Sequence, residues 1–301
     1  MTEQDDTSRA ASRGAGLAAV VLATMGFSWG YIIVKLIPLS APVLAAWRLA
    51  IGAAVLVAVA LALRLPRRRL WLSALAGVAF GVHQLLFIEA TKLTAVAIVT
   101  LLGATQPLLV ALGSRPIARE RVPLPLWGMA ALALFGIGIV VQADMGHEVR
   151  SRAGDLLAVL NVFAFTAYFL IGKRARMGGE HTVTFTATML TAALVVVAPF
   201  AFVAGFEAPA AGGAALIVLL ALVPGNGHLL LNWAHPRVTA ALASLVLASV
   251  PLWAGLWAHL VLGEPYTWRH VAGMVLVAAA IEGGRRFEAR RAISAERNFR
   301  P

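Results

Sequence analysis

The sequence predicts an all-α integral membrane protein: ten transmembrane helices in two inverted five-helix repeats, with both termini cytoplasmic. The first observation behind this is composition. Of the 301 residues, 60% are hydrophobic and 13% charged, and the mean hydropathy is +0.83, far from the balance of a soluble domain. The second is the succession of long apolar runs. A spanning helix needs about 20 mainly apolar residues, and such runs occupy 15–37, 41–63, 70–90, 94–114, 122–142, 154–173, 182–206, 212–234, 238–261 and 267–284. They lack the period-two alternation of a membrane β-barrel.

The third observation is where the basic residues fall. Short loops rich in Lys and Arg stay in the cytoplasm. With the N-terminus inside, the inner segments carry Arg9 and Arg13, then Arg64, Arg67, Arg68 and Arg69, then Arg115, Arg119 and Arg121, then Lys173, Arg174 and Arg176, then Arg237 and the C-terminal arginines. The outer segments hold only Lys35, Lys92, Arg150, Arg152 and Arg269. This asymmetry requires an even number of spans. It also accounts for the net charge of +11 without nucleic acid as a partner, because the cations sit in clusters between apolar runs and not on one surface. The expected organisation is a cytoplasmic tail at 1–14, a first repeat at 15–142, a periplasmic connector at 143–153, a second repeat at 154–284 and a basic cytoplasmic tail at 285–301. The cellular site is then a bacterial inner membrane. The chain has no cysteine, which excludes disulfides and thiolate chemistry.

An internal repeat supports the two halves. An offset of 144 residues aligns Gly81–Glu120 with Gly225–Glu264 without a gap, pairing Pro107 with Pro251 and Glu120 with Glu264. A weaker alignment at 138 pairs Gly16 with Gly154, Phe27 with Phe165 and Lys35 with Lys173. Five helices per repeat is an odd number, so the second copy enters the membrane from the opposite face. Two equivalent packings of inverted halves give two access states around a site near the midplane, which is a recurring design of secondary transporters.

The residues that carry these patterns also resemble a known family. Phe27-Ser28-Trp29-Gly30 followed by Lys35, Pro42 with Arg48, Ala95-Val96-Ala97 leading to Pro107 and Glu120, and Thr239-Ala240-Ala241 leading to Pro251, Gly263 and Glu264 are similar to the ten-helix EamA-type branch of the drug/metabolite transporter superfamily. Within it the chain looks most similar to YddG-type exporters, and that resemblance implies efflux of aromatic and other neutral amino acids. The family's Gly-Glu pair reads Arg119-Glu120 in the first copy, which puts the symmetry of the two closing turns in question.

Polar groups in hydrocarbon are costly and usually face the bundle interior. Those nearest the midplane are Trp29, His83, Gln84, Gln106, Asn161, Asn226 and His228. Tyr168 joins them because Asn161, Phe165 and Tyr168 share one helix face. These are the candidate substrate-binding residues, weighed against plain hydrogen bonds between neighbouring helices. Arg48, about two turns inside its helix, is placed in an outer vestibule. Pro224-Gly225-Asn226-Gly227-His228 is expected to bend or open its helix, so Pro224, Gly225 and Gly227 join Pro107 and Pro251 as hinges. Trp253 and Trp257 read as an interfacial aromatic belt.

No HExxH run, midplane aspartate pair or GxSxG elbow is present, so catalysis is not expected. No cofactor or metal is implied. With Arg48 as the one cation in reach, phosphorylated substrates are disfavoured against neutral or zwitterionic ones, with lipophilic drugs or other metabolites as the alternative cargo. The implied partners are a small-molecule substrate and the lipid bilayer, with a single chain as the working unit.

Overall fold

A computed structural model describes residues 3–68, 70–144, 151–257, 259–260 and 267–297. The described residues form twelve α-helices: α1 Glu3–Leu36, α2 Ala41–Ala62, α3 Leu70–Leu93, α4 Val96–Gly103, α5 Gln106–Gly113, α6 Leu124–Asp144, α7 Arg152–Met177, α8 Thr182–Val203, α9 Ala211–Ala234, α10 Ala240–Leu247, α11 Val250–Trp257 and α12 Trp268–Arg297. Taking α4 with α5 and α10 with α11 as single broken spans gives ten. Among the described residues, nine spans are long and apolar enough to cross a membrane. The tenth, α12, has its apolar stretch bounded by Arg269 and Glu282. Both terminal tails are helical where described: α1 begins at Glu3 and α12 runs on to Arg297. Residues 145–150 of the expected connector 143–153 and the pair Gly263-Glu264 lie outside the described residues.

The two broken spans are the clearest structural imprint of the repeat. α4 and α10 begin at Val96 and Ala240, and α5 and α11 at Gln106 and Val250, so every boundary is displaced by the same 144 residues found in the sequence. Proline causes both breaks. Pro107 and Pro251 lie at the second position of α5 and α11 and have no N–H to return to the carbonyls of Gly103 and Leu247, four residues earlier.

The helices then pair across the repeats: α1 against α9, α2 against α8, α3 against α7 and α6 against α12. Glycines set several of these contacts by letting backbones approach, the usual device where lipid offers no hydrophobic drive between helices. A Cβ at Gly81 of α3 would stand 2.9 Å from the Ala193 carbonyl oxygen of α8, and one at Gly136 of α6 would stand 3.0 Å from that of Gly273 in α12.

The expected opening at Pro224–His228 is absent, because α9 is continuous from Ala211 to Ala234. Gly227 instead receives the ring of Phe27, whose Cε1 lies 2.7 Å from where a Cβ would be, and Pro224 packs on Gly30. In this segment the glycine seats α1 and the helix does not unwind.

Candidate functional site

The cation Lys173 shows how the repeats are tied at one end. The sequence places it at the inner end of the run 154–173, but α7 continues past it to Met177 and buries it to 2% exposure. Its ammonium meets a Glu120 oxygen at 3.0 Å, donates to the Val238 carbonyl at 2.5 Å and donates to the His235 carbonyl. The other Glu120 oxygen accepts the Ala240 N–H at 2.8 Å, so this carboxylate caps the positive end of α10. Glu120 reaches that position through a π-helical turn at Ser114–Ala118 that ends on Arg119 with φ +61°. Left-handed φ is where glycine is favoured, and it explains why a Gly-Glu pair suits this turn and how the Arg119-Glu120 variant departs from it.

Between the repeats lies a cavity with about 740 Å³ of empty space including its mouth. Of the residues singled out from the sequence, Arg48, His83, Gln84, Gln106, Asn161 and His228 line it, together with Pro224 and Pro251. They come from α2, α3, α5, α7, α9 and α11. The lining contains one cation, Arg48, and no carboxylate.

Arg48 is therefore not in a vestibule. It is 5% exposed and donates from its guanidinium to Gln84 Oε1, because a charge at this depth must be paired or hydrogen-bonded. That contact uses the acceptor end of Gln84 and leaves its Nε2 buried without a partner, as is Nε2 of Gln106. Two amide donors and a guanidinium thus line the same cavity. Buried donors of this kind are costly unless something accepts from them.

The histidines are held in defined roles. His83 Nδ1 lies 2.6 Å from Asn161 Oδ1; a carbonyl oxygen can only accept, so Nδ1 carries the proton and Nε2 keeps its lone pair. The Tyr168 hydroxyl donates to Asn232 Oδ1 at 3.1 Å and lies 3.4 Å from His228 Nδ1, which leaves His228 Nε2 an acceptor in the same way. Aromatic rings frame both imidazoles: Phe27 and Phe80 each lie 4.5 Å from His228, and Phe165 lies 4.8 Å from His83.

Three candidates fall outside the cavity. Tyr168 is fully buried and supports His228 from behind. Asn226 lines a smaller neighbouring cavity of about 430 Å³ that shares Arg48 and His228 as walls. Trp29 stacks on Trp257 at 5.6 Å, and Trp257 donates its indole N–H to Ser28 Oγ at 2.9 Å. This corrects the aromatic-belt expectation for Trp257, whose ring turns inward because a buried serine satisfies its N–H.

Sequence reasoning missed Phe27, Tyr31, Phe87 and Thr100, which also line the cavity. A signal existed for three of them. Phe27 with Tyr31 and His83 with Phe87 fall four residues apart on single helices, just as Asn161 does with Phe165. Such spacing marks an aromatic and polar face.

A two-repeat bundle of membrane-spanning helices around a central, sparsely charged cavity defines the class as an integral membrane transporter fold. The EamA-like transporter family matches residues 14–142 and again 152–282, one match for each repeat, and the chain belongs to this family. It is a multi-pass membrane transporter and not an enzyme. A curated relative, a probable terminal-alkyne amino-acid exporter of Streptantibioticus cattleyicolor, is 33% identical over 111 residues, a match that spans 36% of each chain. A solved crystal structure is similar with a TM-score of 0.72 and 18% identity over 91% of this chain and 96% of the other. At that identity the likeness shows the fold.

Proposed function

We propose that this transporter exports neutral, zwitterionic amino acids, aromatic ones among them, from the cytoplasm across a bacterial inner membrane by alternating access of its two repeats, with both termini inside. The observation that carries the reading is the cavity's division of labour. The Arg48 guanidinium and the unpartnered amide groups of Gln84 and Gln106 suit a carboxylate, since charge-assisted hydrogen bonds are the stronger ones. The acceptor nitrogens of His83 and His228 and the proline-freed carbonyls of Gly103 and Leu247 suit an ammonium group. Phe27, Tyr31, Phe87 and Phe165 suit an apolar or aromatic side chain. The curated relative's description as an amino-acid exporter agrees with this substrate class.

The paired prolines at 107 and 251 support alternating access, because backbone without its full hydrogen bonding is tolerated at membrane depth where it lines a cavity. The absence of a carboxylate from the cavity lining favours movement down the substrate gradient over coupling to protons through an acidic relay. The test is uptake of radiolabelled phenylalanine and leucine into proteoliposomes, with and without an imposed pH gradient. Saturable uptake without the gradient, competed by other neutral amino acids, is expected. Folded protein that moves no amino acid overturns the assignment and turns attention to lipophilic drugs.

A further inference from the structure

A second concave site lies on the outside of the bundle, where α2, α3 and α8 meet at the seam between the repeats. It is a groove with about 830 Å³ of empty space, walled by Val57, Leu61 and Leu70 on one side and by α8 on the other, with Arg67 at its rim. The glycines of α3 hold that helix hard against α8: a Cβ at Gly77 would stand 2.7 Å from that of Ala192. The groove opens beside this contact, towards the end of α2.

The α8 wall is graded. Thr184, Thr188 and Thr191 line it, and Thr191 lies about 10 Å deeper along the helix than Thr184 at 1.5 Å per residue. Thr191 donates to the Ala187 carbonyl at 2.9 Å, which satisfies it within its own helix. Thr184 differs. It is 3% exposed, and its hydroxyl has no partner, so an unsatisfied donor sits within the groove wall at its shallow end.

The rim is cationic. Arg64, Arg67 and Arg68 are all exposed on the connection between α2 and α3. That connection is pinned beside the start of α8, because the Arg68 backbone N–H donates to Glu180 at 3.4 Å; Glu180, 1% exposed, lies beneath the three exposed arginines, which outnumber it. The first turn of α8 has no side-chain cap from His181, so its amides add to the positive field. From rim to floor the order is Arg67, with Arg64 and Arg68 on the same connection, then an unpartnered hydroxyl, then a mainly apolar trough.

We propose that this groove binds one anionic phospholipid, with the phosphate against Arg67 and the uncapped start of α8, a glycerol ester carbonyl accepting from Thr184, and an acyl chain along Thr188 and Thr191. A phosphate, an ester and a hydrocarbon chain occur at these successive depths in a phospholipid, and basic pockets between transmembrane helices are known to select anionic headgroups. This inference stands apart from the amino-acid reading.

The experiment is native mass spectrometry of the detergent-purified full chain titrated with phosphatidylglycerol or phosphatidylcholine of identical acyl chains. Wild type is expected to retain phosphatidylglycerol at least several-fold more than phosphatidylcholine. Arg67→Gln should bring the two to the same level. Thr191→Phe, at an exposed position that keeps the melting temperature, should fill the trough and remove both adducts. Equal retention of the two lipids by wild type overturns the proposal. So does a preference that survives either substitution, since binding to the loop arginines alone would not respond to Thr191.

Discussion

Glu120 and Lys173 belong to different repeats and meet at 3.0 Å, where the end of one broken span caps the start of the other. The pair does two structural jobs. It neutralises a lysine with 2% exposure, and it places a carboxylate on the first amide of α10.

Breaking this pair should therefore cost more than removing a surface ion pair. Taking away one partner of a buried pair costs about 3–5 kcal/mol; the Glu120 side chain keeps 24% exposure, so Glu120→Ala is expected somewhat below that range, at about 2–3 kcal/mol. Glu120→Gln, which retains an oxygen for the Ala240 N–H, should lose less. Denaturation in detergent of the two variants beside wild type measures the difference.

Arg48→Met should weaken amino-acid transport through KM, by roughly 10- to 100-fold if one hydrogen bond to a charged group is worth about 1.5–3 kcal/mol. Amine analogues that lack the carboxylate should not notice the change. Proteoliposome uptake of phenylalanine beside phenethylamine separates the two, and an equal loss for both would place Arg48 in the fold and not in recognition.

Phe165 touches His83 at 4.8 Å and lines the cavity. Phe165→Leu keeps an apolar wall but removes the ring, so preference for aromatic over aliphatic substrates should fall by about threefold to tenfold, the worth of one aromatic pair at about 0.5–1.5 kcal/mol. Competition of leucine against phenylalanine reads this directly.

His235 follows α9 and lies outside the spans. Burial, reinforced by the charges of Lys173 and Arg176, pushes its pKa well below the usual imidazole value of 6.5. The folded protein thus binds fewer protons here than the unfolded chain. Its contribution to stability is present above about 6.5, the unfolded value, and is lost as pH falls below it. Wild type should lose melting temperature between pH 7 and 5, and His235→Phe should flatten part of that slope. Identical slopes would show that His235 does not carry it.

The elements most legible from sequence were those governed by local chemistry. Proline at 107 and 251 removes a backbone donor at matching places in the repeat, so both positions could be read as hinges; that each splits its span, whereas Pro224 leaves α9 continuous, is seen only in the structure. At the Pro224 segment the glycines suggest a bend or an opening; α9 stays continuous, and Gly227 is the floor on which Phe27 rests. A glycine reads the same in sequence whether it permits a bend or a close contact. Lys173 is a related case: a charge at the end of an apolar run does not show its burial until its acceptors, the Glu120 carboxylate and the His235 and Val238 carbonyls, are seen around it.

The sequence by itself determined the solvent, the ten runs, the two repeats and the family, because hydropathy, proline and periodicity act over a few residues at a time. Only the tertiary structure decided which polar side chains face a common space. His83 and Asn161 are 78 residues apart in the chain and 2.6 Å apart in space, while Tyr168, two turns from Asn161 on α7, looks away from the cavity to Asn232. The physical reason is that which polar groups meet across helices is decided by how the helices pack, and that packing brings together residues far apart in the chain.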